Sequence, residues 1–249
     1  MLRGVYQSAS ALLAFQTRHE ALATNLANLQ TTGFKAYRPA LGSFARLLLQ
    51  RRTGSGAEAV VGPLGTDVAV VGGKTDTGQG ALRETGQELD LAISGDGFFT
   101  IGTPEGPRYT RAGHFHRDGE GRLVTPEGWF VLDEGGDPLE VGSDPVRVDG
   151  DGTVWSGSRR IGRLGLVHFT EAEFLEREPT GLFNAGPAAG EMEAAPGIVL
   201  QGFLEGANVD PGQTMVDLLA TFRAYEANQR ALEAQDETLR RAVNDLARF

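Results

Sequence analysis

Cysteine is absent from the 249 residues. That excludes disulfides, thiolate nucleophiles and cysteine-ligated metals together. Long hydrophobic runs are missing too: no stretch approaches the roughly 18–20 apolar residues that a membrane-spanning helix needs. Near the start, Gln7, Ser8 and Ser10 interrupt the apolar residues behind Arg3, so no cleaved secretory leader is expected. Basic side chains are in deficit, 23 against 33 acidic, for a net charge of −10. Such a balance argues against a nucleic-acid binder. No Walker sequence, G-x-S-x-G elbow or H-E-x-x-H motif occurs, so nothing in the chain predicts an enzyme or a cofactor.

Glycine, by contrast, is abundant, and its distribution divides the chain. Of the 35 glycines, 29 fall within residues 53–200. Charge divides the same way. Residues 1–52 hold seven basic and one acidic side chain, residues 53–200 hold 11 and 24, and residues 201–249 hold five and eight. Glycine-poor ends around a turn-rich, acidic middle predict a mixed α and β fold. Long N- and C-terminal helices form a coiled-coil-like arm, and the central domain is mainly antiparallel β. The expected divisions are an N-terminal helical arm over 1–52, a linker over 53–66, a β domain over 67–200 and a C-terminal helical arm over 201–249.

The arms are read from periodicity. Val5, Ser8, Leu12, Phe15, His19, Leu22, Leu26 and Leu29 recur at alternating steps of three and four, the 3.5-residue period of a coiled-coil seam. Gly33 is the expected stop signal. At the other end, Met215, Leu218, Phe222, Tyr225, Gln229, Leu232, Asp236, Leu239, Val243 and Leu246 keep the same rhythm. Asp210 offers a cap, and Pro211 suits the first helical position. Leu41, Phe44, Leu47 and Leu48 predict a further short helix. In the middle, short apolar segments such as Leu89–Ile93, Phe98–Ile101, Val146–Val148 and Leu164–Phe169 alternate with Gly, Pro and Asp. This is the pattern of an antiparallel sandwich or barrel.

Candidate chemistry in the middle is weak. His114 and His116 share a strand face, but no third histidine stands near, so a solvated strand edge is expected rather than a metal site. Asp149-Gly150-Asp151-Gly152-Thr153 has Val154 where a calcium loop needs glycine and Arg160 where it needs glutamate. A hairpin turn is the expectation there.

Several segments carry a family resemblance. Asn25-Leu26-Ala27-Asn28 followed by Thr31-Thr32-Gly33-Phe34-Lys35 resembles the N-terminal signature of bacterial flagellar rod and hook proteins. Gly86 with Leu89-Asp90-Leu91-Ala92-Ile93-Ser94-Gly95-Asp96-Gly97-Phe98-Phe99 resembles the opening of that family's β domain. Tyr109-Thr110-Arg111-Ala112-Gly113-His114-Phe115 and Leu123-Val124-Thr125-Pro126-Glu127-Gly128 extend the likeness. Gln201-Gly202-Phe203-Leu204-Glu205-Gly206-Ala207-Asn208-Val209 and Phe222-Arg223-Ala224-Tyr225-Glu226-Ala227-Asn228 complete it. Ala207 departs from the serine usual there, and the resemblance fades across residues 135–195. Chain length favours a rod protein, most like the distal type, over the longer hook subunit.

The resemblance implies a structural subunit of the flagellar basal-body rod, outside the cytoplasmic membrane, exported by the flagellar apparatus without a cleaved signal. Copies would stack into a helical tube with other rod and hook subunits, transmitting torque and forming part of the axial export channel. It implies no cofactor, no nucleic acid and no membrane insertion. Candidate assembly-interface residues are Leu12, Phe15, Leu22, Asn25, Leu26, Asn28, Leu218, Phe222, Tyr225, Asn228, Leu232 and Leu239. Packing of the same stripes within one chain is the alternative at residue level. At the level of function the alternatives are a secreted wall-binding or wall-hydrolysing β protein, with Trp129 and Trp155 as its only tryptophans, the hook subunit, or an adhesin or other fibre subunit that shares the assembly physics but not the flagellar motifs.

Overall fold

A computed structural model describes residues 2–52, 58–178, 180–190 and 192–246. Among the described residues the chain is mixed α and β, with two α-helices and a β-rich central part. It forms two compact units. One gathers Met1–Leu26, Tyr37–Lys74 and Pro211–Phe249; the other gathers Ala27–Ala36 and Thr75–Asp210.

The first unit contains both helices. Helix α1 spans Leu2–Ala27 and is rich in alanine, the best helix former, with no proline to break it. It ends earlier than Gly33 and leaves Leu29 outside. The Thr31 N–H turns back to the Asn28 carbonyl at 3.1 Å, closing a tight turn after the helix. Helix α2 spans Pro211–Leu246, starting at the proline the sequence points to. Its 36 residues span about 54 Å at 1.5 Å each. No Gly or Pro follows Gly212, and Glu226–Arg230, Asp236–Arg240 and Glu237–Arg241 pair along its surface with the acid on the N-terminal side, the favourable order. No described helix is long and apolar enough to cross a membrane.

Between the helices in sequence, β1 (Tyr37–Arg52) and β2 (Glu58–Thr75) pair as a two-stranded sheet. This corrects two expectations. The stretch from Leu41 to Leu48 is strand, not a short helix, because an apolar run this short fits either period and pairing decides. Residues 58–66 of the expected linker are strand as well, and 53–57 lie outside the described residues.

The second unit is built of antiparallel strands. Strands β3 (Leu82–Glu84) and β4 (Leu91–Ser94) lead to the central β5 (Phe98–Thr103) and its hairpin partner β6 (Gly106–Thr110). β5 also pairs with Phe130–Val131 and Leu166–Phe169. Successive side chains of a strand point to opposite faces, so Phe98 and Phe99 serve different cores. Phe99 and Ile101 pack with Leu91, Ile93, Phe115 and Val131. Phe98 packs with Tyr109, Phe169 and Phe183, in tilted and edge-to-face ring contacts. The last strands return to the first: Phe203–Glu205 pairs with β3 and Ile198–Gln201 with β4. That return brings residues far apart in sequence to one place.

Candidate functional site: a buried ionic latch and two helix faces

In the β unit the return of the chain creates a buried ionic cluster. Lys35 and Glu205 are both fully buried, and Arg111 is nearly so. The Lys35 ammonium lies 2.6 Å from Glu205 Oε1 and donates to the Gly78 carbonyl at 2.7 Å. Arg111 Nη1 approaches Glu205 Oε2 at 3.2 Å, and Nη2 donates to the Gly95 carbonyl at 2.8 Å. The Gly80 N–H donates to Glu205 Oε1 at 2.8 Å. One carboxylate thus faces two cations, backbone carbonyls accept further N–H groups, and Arg111 Nε is buried with no hydrogen-bond partner among the described residues. Burial pulls Lys35 below the usual lysine range and Arg111 below the usual arginine range, while Glu205 opposes both shifts. Buried pairs are a poor source of net stability, but losing one partner strands a charge. The cluster therefore specifies one arrangement of the segments it joins.

Neighbouring backbone completes the latch. The Gly33 N–H donates to the Glu205 carbonyl at 2.7 Å. Gly33 has φ +67°, and a Cβ there would fall 2.2 Å from the Ala112 nitrogen, so only glycine fits. Asn208 accepts from the Ala36 N–H at 2.7 Å and donates to the Asp76 carbonyl at 2.7 Å and the Gly78 carbonyl at 3.0 Å. Segments 33–36, 76–80, 111 and 205–208 become one knot. Sequence reasoning missed this role for Lys35, Arg111, Glu205 and Asn208. The available signal was charge set among apolar and glycine neighbours, as in Phe34-Lys35-Ala36 and Leu204-Glu205-Gly206.

In the helical unit the covered lines differ from the expected stripes by half. On α2 the less exposed line runs through Thr214, Leu218, Thr221, Tyr225, Asn228, Leu232, Gln235 and Leu239. Leu218, Tyr225, Leu232 and Leu239 belong to the expected stripe, whereas the other members lie one residue earlier than expected. On α1, Ser8, Ala11, Ala14 and Asn25 are buried, and Leu12, Phe15, Leu22 and Leu26 are half-buried. Small residues let neighbouring elements approach: a Cβ on Gly4 would fall 2.6 Å from Gln235 Oε1. Polar residues on these lines satisfy themselves locally. Thr221 Oγ1 donates to the Asp217 carbonyl at 2.7 Å and Asn228 Nδ2 to the Ala224 carbonyl at 2.9 Å, the i−4 back-bonding open to such side chains.

Apolar residues are left outside as a result. Met215, Val216, Leu219 and Phe222 are between 48% and 60% exposed on the first half of α2, and Tyr6 and Leu13 are 70% and 67% exposed on α1. Of the twelve candidate interface residues, Phe222 alone is exposed. Asn25 is engaged within its own unit, where its amide donates to the Tyr37 carbonyl at 2.9 Å and accepts the Tyr37 N–H at 3.0 Å. Asn28 is half-buried in the turn after α1 and accepts the Thr31 hydroxyl at 3.0 Å.

The remaining motifs make local contacts. His114 Nδ1 lies 2.7 Å from Asp90 Oδ1, and its ring meets His116 edge-on at 4.5 Å. Asp149–Gly152 is a turn, with the Gly152 N–H donating to the Asp149 carbonyl at 2.9 Å, and the Asp149 carboxylate accepts the Trp155 indole N–H at 2.7 Å.

Three family profiles match in chain order. Flagella basal body rod protein covers residues 6–35, Flagellar hook protein FlgE/F/G D1 domain covers 92–156, and Flagellar basal body rod FlgEFG protein C-terminal covers 200–246. The latch residues Lys35, Arg111 and Glu205 lie one in each matched region. The chain is 33% identical to the flagellar basal-body rod protein FlgG of Bacillus subtilis, covering 98% of this chain and 99% of that one. It is 32% identical to FlgG of Agrobacterium fabrum (95% and 96% covered) and 32% identical to FlgF of Caulobacter vibrioides (100% of both). Full-length likeness, together with N- and C-terminal helices and a β-rich central part, identifies the chain as a member of the flagellar basal-body rod protein family, of the distal rod type, and as a structural subunit of the rod.

Proposed function

We propose that copies of this chain stack into a helical tube that transmits torque and encloses part of the axial export channel, outside the cytoplasmic membrane. In this reading α1 and α2 form a coiled-coil-like arm, and the β unit is the body of the subunit. A tube of identical subunits requires heterologous contacts, in which one patch meets a different patch on the next copy. The single observation that carries the reading is the uncovered apolar line Met215, Leu219 and Phe222 on a helix otherwise laced with ion pairs. A contiguous apolar face left open in one copy is what a neighbouring copy would cover. The covered residues Leu12, Phe15, Leu22, Leu26, Leu218, Tyr225, Leu232 and Leu239, with Asn25, Asn28 and Asn228, would hold the arm in register, while Phe222 reaches the neighbour. Passage through a narrow channel agrees with the lack of cysteine, since no disulfide has to be undone.

The test is electron microscopy of basal bodies from a strain lacking the chain, complemented with wild type or with Leu219→Asp/Phe222→Asp. Truncated rods in the deletion, restored by wild type but not by the double variant, are expected. Full rods built by the double variant would reject the apolar face as the contact.

A further inference from the structure

The β unit holds a third cation partly withdrawn from water, and among the described residues this one pairs with no acid. Arg177, in the two-residue strand Glu176–Arg177, is half-buried, with its guanidinium lying 3.9 Å from the centre of the buried Phe34 ring. Its side chain makes no hydrogen bond and no ion pair among the described residues, unlike Lys35 and Arg111, which share Glu205. Burial alone lowers it from the usual arginine value, with no carboxylate opposing. Arg177 borders a cavity of about 140 Å³ lined also by Thr31, Thr32, Thr180 and His114. That volume equals about four or five waters, or the end of one acidic side chain. Glu127 is exposed on the same rim and forms no pair with Arg177.

We propose that this cavity receives a carboxylate side chain from a second copy of the chain, bound by the open edge of the Arg177 guanidinium. Stacking occupies the flat face of the guanidinium on Phe34 and leaves its N–H edge free. That edge is a planar fork matched to a carboxylate. The hydroxyls of Thr32 and Thr180 add neutral donors, while that of Thr31 is given to Asn28. The occupant's chemistry follows from charge, because every copy brings 33 acidic side chains and a net −10. A desolvated cation in one copy and an acid-rich surface on the next are complementary. This inference rests on the stacking of copies proposed above and adds a specific polar contact to its apolar one.

The test uses the purified full chain and compares wild type, Arg177→Gln and Arg177→Lys for the protein concentration at which self-association begins. Arg177→Gln is expected to raise that concentration about tenfold or more, as loss of a charged hydrogen bond does, with Arg177→Lys in between. The unfolding midpoint of the monomer falls by no more than about 4 °C, because the stack on Phe34, worth about 0.5–1 kcal/mol, is the contact given up within the chain. Sodium acetate is expected to inhibit wild-type association more than equal sodium chloride, and the difference disappears in Arg177→Gln. Association of Arg177→Gln at the wild-type concentration overturns this inference alone and leaves the stacking intact. Absence of any wild-type association overturns both. If acetate moves the Arg177 Nε–H resonance of the monomer while Arg177→Gln associates normally, the site takes a free carboxylate and the neighbour is not the occupant.

Discussion

The two units treat polarity in opposite ways. The β unit buries charge, enclosing Lys35, Arg111 and Glu205 beside cores of Phe, Leu, Ile and Val. The helical unit exposes apolar surface and covers threonine, serine, alanine and asparagine instead. A body that pairs its fully buried charges internally leaves little besides Arg177 for a neighbour to complete. Helices that turn Met215, Leu219 and Phe222 outward leave an apolar face. The difference teaches where the apolar share of assembly is encoded: in the part whose hydrophobic pattern stays unsatisfied when the chain is alone.

Substitutions can break or sharpen this contrast. The largest effect is expected from Glu205→Gln, which leaves two buried cations without their anion and costs about 3–5 kcal/mol. The thermal midpoint should fall by about 10 °C. Lys35→Met should cost less, because Arg111 and the Gly80 N–H still hold Glu205. A larger loss for Lys35→Met than for Glu205→Gln would show that the carboxylate is not the hub. Gly33→Ala forces a side chain into a left-handed backbone and into the Ala112 nitrogen. A loss of about 3 kcal/mol is expected by denaturant titration, and a neutral result would mean that the loop relaxes freely.

Asn25→Ala removes two hydrogen bonds to Tyr37 in the helical unit and should cost about 1–2 kcal/mol. Faster hydrogen exchange at the Tyr37 amide is the specific sign of it. Phe222→Asp is expected to change monomer stability by less than about 0.5 kcal/mol, yet to abolish self-association in sedimentation. If it unfolds the monomer, the face was already covered and the contrast between the units fails.

The smallest effect concerns a surface turn. Asp118 accepts the Arg122 and Glu120 backbone N–H groups at 2.8 and 2.9 Å and the Arg122 side chain at 2.7 Å. The Arg122 backbone hydrogen bond leads in holding its carboxyl below the ordinary aspartate value. A carboxylate whose folded value is depressed contributes stability above its unfolded value and loses it as pH falls through the folded one. Carbon NMR should therefore find Asp118 still ionised at a pH where ordinary aspartates are half protonated. Titration at the ordinary value would remove the turn's claim to order.

Local patterns predicted the elements well where they were long or strongly punctuated. The Pro211 start of α2, the antiparallel body and the Asp149 turn all follow from short-range chemistry. The early end of α1 does not, because Leu29 fits the helical period but the Asn28–Thr31 turn competes for the same backbone. Strands β1 and β2 were illegible for a related reason: a short apolar run has no period of its own until a partner strand selects one.

The seam shows the limit most clearly. Heptad counting finds Leu218, Tyr225, Leu232 and Leu239, and it assigns the other half of the line to Met215 and Phe222 because they are apolar. The fold covers Thr214 and Thr221 instead, since Thr221 satisfies its hydroxyl on its own helix and small side chains pack closely.

By itself, then, the sequence determined the class of elements, the absence of thiol chemistry and the family, all of which depend on residue type and spacing along the chain. Only the tertiary structure decided which helix face is left open, that one carboxylate at position 205 serves cations at 35 and 111, and that Arg177 pairs with no acid among the described residues. Burial and pairing are properties of distance in space, and 170 residues of sequence separate Lys35 from the glutamate that holds it.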